Sequence, residues 1–245
     1  MARKNSADMA FFLVGGYSVL GTLTQVTDSI EATLEQTQVL GDTWKSEQYT
    51  GVRMGEITQE GFYDDDAGSV HDMLSTGPGV SRVLAFGDGG TATGAPVTVW
   101  EGAMQVNYER VLTVGALHKA RASYQNNGTI ERHKLIRTYK ANTATGATTG
   151  TPLDGAASST GGAGVLEYNA SQGEANVRML HSSDNVTYAT LFTFTKTASG
   201  FGAERLTTTG VIERYTAYDV STATATGAIT ALNSMMSLYR GALTS

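Results

Sequence analysis

The chain contains no cysteine, which excludes disulfide stapling, thiolate metal sites and cysteine nucleophiles. Proline occurs only 3 times, and charged residues fill 16% of the 245 positions. That charge content is too low for an array of long surface helices. No segment approaches the ~20 apolar residues of a membrane span. A basic footprint is missing too: 17 Lys and Arg stand against 23 Asp and Glu, a formal net charge of −6. Gripping nucleic acid requires cations that displace counterions from phosphates, so overall this is not a nucleic-acid binder. The start of the chain, Met1-Ala2-Arg3-Lys4 with Ala10-Phe11-Phe12-Leu13-Val14 beyond it, only imitates a signal peptide. Its apolar run is short, Gly15-Gly16 interrupts it, and no small-x-small cleavage site follows.

What is present in quantity is glycine, at 29 residues, together with threonine and alanine. This mixture favours β-strands joined by glycine turns. The 40% apolar content excludes wholesale disorder. Residues 141–164 hold six Gly, six Thr and six Ala with one charge, Asp154, and one large apolar residue, Leu153. Such a stretch reads as a linker. It separates an expected N-terminal domain, 1–140, from a C-terminal one, 165–245.

Strands are announced by alternation. Ile30, Ala32 and Leu34 alternate with Glu31, Thr33 and Glu35. Asp28-Ser29-Ile30-Glu31 also fits a capping box, but the longer alternation favours strand. Met104, Val106 and Tyr108 alternate in the same way, and 18–26, 52–62, 80–86 and 132–139 are weaker strands. Asn127-Gly128 signals a hairpin. One helix is expected: Asp64-Asp65-Asp66 as its N-terminal cap, Val70, Met73 and Leu74 on one face, Gly77-Pro78 as its stop. Beyond the linker, short strands near 164–170, 175–181, 188–195, 211–218 and 229–240 suggest a β-sandwich. The fold class is therefore all-β with one short helix, as two β-sandwich domains.

Sites of chemistry are scarce. Asp64-Asp65-Asp66 lacks the spacing of a calcium loop and is explained by helix capping. His71, His118, His133 and His181 form no ligand pair. Gly87-Asp88-Gly89-Gly90 has no P-loop lysine and reads as a turn. Serines are plentiful without a nucleophile elbow. No enzyme, cofactor or metal is expected.

Charge is distributed unevenly. Residues 42–66 carry the acids Asp42, Glu47, Glu56, Glu60, Asp64, Asp65 and Asp66 against Lys45 and Arg53. Residues 118–140 carry Lys119, Arg121, Arg132, Lys134, Arg137 and Lys140 against Glu131. The two stretches pair across strands within one subunit, or meet across a subunit contact where complementary charge sets register.

Several stretches, taken in order, resemble the major tail tube proteins of long-tailed, siphovirus-type bacteriophages. They are Val39-Leu40-Gly41-Asp42-Thr43-Trp44, Tyr49-Thr50-Gly51, Gly61-Phe62-Tyr63-Asp64 into the helix, and Arg82-Val83-Leu84-Ala85-Phe86. After the linker-like segment come Gly150-Thr151-Pro152-Leu153-Asp154, Ser158-Ser159-Thr160-Gly161-Gly162, His181-Ser182-Ser183-Asp184, Ala203-Glu204-Arg205 and Glu213-Arg214-Tyr215. The resemblance implies a homo-hexameric ring that stacks into a hollow tube, with strands of all subunits closing into one barrel. It implies tape-measure, tail-tip and terminator proteins as partners, and phage DNA passing through without specific binding. The virion tail, assembled in the host cytoplasm without membrane contact, would be its location, and the C-terminal domain would decorate the exterior. A negative wall repels phosphate and keeps the passage free, so Asp42, Glu47, Glu56 and Glu60 are candidate lumen acids. The bases of 118–140 are candidate inter-subunit contacts. The alternatives are a surface glycan-binding module, with Tyr188, Tyr215 and Tyr218 as stacking rings, or a tube terminator or cap of similar fold.

Overall fold

A computed structural model describes residues 9–36, 47–64, 66, 69–142, 151–170, 175–196, 200–221 and 232–242. In chain order the strands are β1 (Phe11–Val14), β2 (Tyr17–Ser18), β3 (Leu23–Gln36) and β4 (Glu47–Phe62). The short helix α1 (Val70–Ser75) precedes β5 (Ser81–Gly87), β6 (Pro96–Val111), β7 (Lys119–Asn126) and β8 (Ile130–Asn142). Then come β9 (Leu153–Asp154), β10 (Gly162–Ala170), β11 (Ala175–Ser182), β12 (Ala189–Lys196), β13 (Gly200–Thr208), β14 (Tyr215–Ser221) and β15 (Leu232–Arg240). The protein is all-β with one short helix, and every described strand pairing is antiparallel.

The chain groups into two compact units. Unit 1 takes residues 1–21, 82–101 and 129–245; unit 2 takes 22–81 and 102–128. The segment read as a linker supplies β9 and the first residues of β10, while 143–150 lie outside the described residues.

Unit 1 is a sandwich. One sheet runs β13-β10-β15-β8-β6-β5-β1-β2 and the other β12-β11-β14-β9. Ile136, Leu166, Met236 and Leu238 of the first meet Val177, Met179, Phe192, Phe194, Tyr218 and Val220 of the second. Burying each large apolar side chain contributes roughly 1.5–3 kcal/mol. Because side chains alternate across a strand, the neighbours Leu135, Val165 and Met235 fall on the opposite face, where they join Phe11, Leu13, Val97 and Val99. The apolar run that imitates a signal peptide is thus strand β1, with Phe11 to Val14 all buried. The β1–β2 turn returns to the far edge of the same sheet: Gly16 N–H donates to Glu167 Oε2 at 2.7 Å, and the Tyr17 and Phe201 rings lie 5.5 Å apart. Gly16 has φ +86°, and a Cβ there would stand 2.3 Å from the carbonyl oxygens of Tyr168 and Gly202. Only glycine fits both constraints.

Unit 2 is a sheet ordered β3-β4-β7-β6, with α1 on one face. The helix starts later than the sequence suggests. Its N-cap is Ser69, whose hydroxyl accepts from Asp72 N–H at 3.4 Å and donates to Asp64 O at 2.8 Å. Asp64 Oδ1 instead accepts from Asp66 N–H at 3.1 Å, shaping the preceding turn; Asp65 lies outside the described residues. Asp64 and Asp66 therefore sit one turn too early to cap α1. Asn127-Gly128 is a turn but closes no hairpin, because β7 pairs with residues 103–111 of β6 and β8 with residues 96–100. The turn passes over Gly102, where a Cβ would stand 2.5 Å from Asn127 O.

Candidate assembly surface

The two faces of the unit 2 sheet differ in kind. On one, Ile57, Gln59, Ala122, Tyr124 and Gln105 are buried. Helix α1 contributes Met73 and Leu74 to the buried core there; Gln105 Nε2 donates to Leu74 O at 2.7 Å, and the Tyr108 hydroxyl pairs with His71 Nδ1. Burial raises the Tyr108 pKa, with Tyr63 adding to the effect and Arg110 opposing it.

The opposite face is uncovered among the described residues. It presents Gln25, Thr27, Ser29 and Glu31 of β3, Met54, Glu56, Thr58 and Glu60 of β4, and Arg121, Ser123 and Gln125 of β7, every one exposed or half-buried. Glu109 of β6 and Lys119 of β7 complete it. The four carboxylates Glu31, Glu56, Glu60 and Glu109 outnumber the two bases, so the face is polar and net negative. A sheet face rich in Ser, Thr, Gln and Glu is stable against water; its exposed apolar side chains are at its ends, Met54 at one and Phe62 and Val111 at the other.

The two charge-rich stretches meet on this face within one chain. Glu60 accepts from Lys119 Nζ at 2.6 Å and Arg121 Nη2 at 2.8 Å, and Arg121 Nη1 reaches Glu109 at 3.1 Å. The hydrogen bond from Lys119, then that from Arg121, lowers the Glu60 pKa. Glu56 lies beyond Thr58 on the same face, exposed. Of Glu47 only the backbone is described, as the first residue of β4, and Asp42 lies outside the described residues. Arg132, Lys134 and Lys140 are exposed on β8 with no acid paired to them among the described residues; Arg137 stacks over the Tyr218 ring, 4.4 Å from its centroid.

Among the described residues strand β3 pairs with β4 alone. No described strand runs beside its other edge, and an open edge is a template for another strand. Ile30 is 45% exposed on the helix side of this edge, and Val111, Leu112, Val114 and Leu117 are exposed at the β6–β7 end.

Sequence reading missed a buried polar network in unit 1. His133 Nε2 pairs with Glu131 Oε2 at 2.9 Å, and Ser237 Oγ with His133 Nδ1 at 3.1 Å. Arg205 Nη2 donates to Glu131 Oε1 at 2.7 Å and Nη1 to Glu101 Oε1 at 3.0 Å. Burial works to raise the Glu131 pKa, but the bonds from His133 and Arg205 prevail and hold it at about 2. Burial lowers that of His133. The order Ser-His-Glu is that of a nucleophilic triad, yet Ser237 and His133 are closed off from solvent. No substrate reaches the hydroxyl, and the network's work is to join β8, β13 and β15. Tyr218, one of the three rings named for glycan stacking, is core, while Tyr188 and Tyr215 are half-buried and Arg214 lies over the Tyr215 ring.

No family model matches the chain, and no curated protein matches it. Among solved structures it is similar to a chain in the virion of a native gene transfer agent particle, at TM-score 0.42 and 12% identity over 53% of this chain and 98% of that one. A chain in the tail of an empty gene transfer agent particle, determined with C6 symmetry, gives 0.39 and 13% over 53% and 98%. The SPP1 Dit hub protein of a phage adsorption apparatus gives 0.33 and 11% over 93% and 97%. At these scores the likenesses carry no functional weight.

Proposed function

We propose that this chain is a structural virion protein, the major tail tube subunit of a long-tailed phage, polymerising as stacked hexameric rings around a DNA passage. The observation that carries the reading is the unit 2 sheet: one uncovered polar, net-negative face and one open edge strand, β3. Repetition of the subunit about a ring lets each open edge meet a neighbouring sheet, which removes the edges and turns the polar faces toward a common channel. Glu31 then joins Glu56 and the other candidate lumen acids, and Glu60 contributes less negative charge because Lys119 and Arg121 sit beside it. The residues of 165–245, within unit 1, are assigned to the exterior, and the tape-measure, tail-tip and terminator proteins are the expected partners. The role requires no catalysis.

Negative-stain electron microscopy of the concentrated protein tests this. Hollow filaments of stacked rings are expected, with tail-tip components added as initiator where the chain alone stays dispersed. Dispersed particles under both conditions would overturn the proposal.

A further inference from the structure

Unit 1 contains an open cleft of about 940 Å³ between the β8–β15 face and the segment 151–160, a volume within the usual range of small-ligand sites. Arg132 and Lys134 stand two residues apart on β8, hence on one face, and both line the cleft. Arg240 forms part of its wall. In a chain of net charge −6, three cations in one cavity call for counterions.

The cleft supplies almost none. Its one acid, Asp154, is gripped by Arg214 from outside the lining, Nε to Oδ1 at 2.7 Å and Nη2 to Oδ2 at 2.9 Å. Arg240 feels the Asp154 charge but hydrogen-bonds only neutral oxygens: Nη1 donates to Ala156 O at 2.6 Å and Glu213 O at 2.7 Å, Nη2 to Arg214 O at 3.0 Å and Thr216 Oγ1 at 3.4 Å. Its buried Nε has no acceptor. Arg132 donates to the Thr98 hydroxyl, again a neutral partner. Lys134 has no partner among the described residues. The rest of the lining is rich in hydroxyls, with Thr93, Thr151, Ser159 and Thr160 around the opening.

We infer that this cleft binds a phosphorylated sugar, its phosphate against Arg132 and Lys134 and its hydroxyls against the Ser/Thr rim. Phosphate satisfies two cations at once through charge-assisted hydrogen bonds, and a hydroxyl-rich rim matches a polyol better than it matches a base or an apolar group. A nucleic-acid strand fits less well: a stacking platform for bases needs several aromatic faces, and the cleft lining offers only Tyr239. The inference does not depend on the tube assignment.

The test is a titration of the whole chain, followed by amide NMR shifts, with glucose 6-phosphate, inorganic phosphate, glucose and a short single-stranded oligonucleotide. Expected is saturable binding of glucose 6-phosphate with shifts confined to the cleft, tighter than inorganic phosphate, and none with glucose. Lys134→Gln and Arg132→Gln, both at exposed positions, should each weaken it about tenfold, the cost of one charged hydrogen bond. Inorganic phosphate binding as tightly would reduce the site to a bare oxyanion site and overturn the sugar. So would the oligonucleotide binding more tightly than glucose 6-phosphate. Absence of saturable shifts, or binding unchanged in both variants, overturns the site altogether. If those variants instead block filament formation while no sugar phosphate binds, the two bases belong to a subunit contact.

Discussion

Gly16 and Glu167, 151 positions apart in sequence, are joined by a 2.7 Å hydrogen bond in which the Gly16 N–H donates to a fully buried carboxyl. Burial pushes the Glu167 pKa to about 8, against a smaller lowering by that bond, and its second oxygen has no partner. The folded state therefore holds a proton that the unfolded chain gives up near pH 4.5. Stability from this group is complete below pH 4.5 and is lost as pH rises toward 8. Glu167→Gln, which keeps an acceptor for Gly16, should flatten the fall in melting temperature between pH 5 and 9; an identical slope in both proteins would refute the assignment.

Glu131 behaves with the opposite sign. Its pKa is held at about 2, so its contribution is present above pH 4.5 and lost as pH falls toward 2. Glu131→Ala leaves the half-buried Arg205 with only Glu101 as acidic partner and the buried His133 without its Nε2 bond. The expected cost is about 3–5 kcal/mol of unfolding free energy by denaturant titration. A loss below ~1 kcal/mol would mean that water already serves the network.

Gly16→Ala meets two carbonyl oxygens at impossible range and a backbone φ of +86°. Destabilisation of more than about 2 kcal/mol is expected in denaturant titration, against about 1–2 kcal/mol for a glycine whose only demand is a positive φ. Gly115, at φ +81° with open space around it, is the control.

Ser69→Ala removes the N-cap of α1 and should cost about 1 kcal/mol, whereas Asp66→Asn should change stability by less than ~0.5 kcal/mol. Equal costs would make the acids part of the cap.

Ile30→Asp places a charge beside the open edge of β3. Thermal unfolding of the dispersed chain should move little, within ~0.5 kcal/mol for an exposed site, while filament formation is lost. Filaments of normal yield would remove β3 from the subunit contact.

Residues 30–35 and 104–109 were legible as strands from their alternation alone, although Ile30 and Val106 on the apolar side are exposed; in 132–139 the alternation does follow burial, with His133 and Leu135 inside and Arg132 and Lys134 outside. Strand β13 was not legible: Gly200-Phe201-Gly202-Ala203 shows no alternation, and Gly202 is set by close approach to Tyr168 and the β1–β2 turn. Strand β1 is apolar on both faces and so lacks the period that marks a strand. The helix was legible from Val70, Met73 and Leu74, but its cap was not, because acids favour any helix start and Ser69 does not stand out in a Ser-rich chain. The acid–base pairing of Glu60 with Lys119 and Arg121 was one of two readings of the charge pattern, and it required the β4–β7 register to see. The Glu131–His133–Ser237–Arg205 network joins residues up to 106 positions apart, and no local pattern encodes it.

Strand β15 lies between β8 and β10 in the large sheet, although it is the last strand to leave the ribosome among those described. Until it is made, β8 and β10 have no common partner, Ser237 is missing beside His133, and both faces of the sandwich lack their Met235 and Met236 contributions. Such dependence on distant pairing slows folding. It also sets an order of events, in which a nascent chain with a finished unit 2 sheet still cannot present a finished unit 1. Truncated translation products are thereby kept from completing unit 1 alongside full-length subunits.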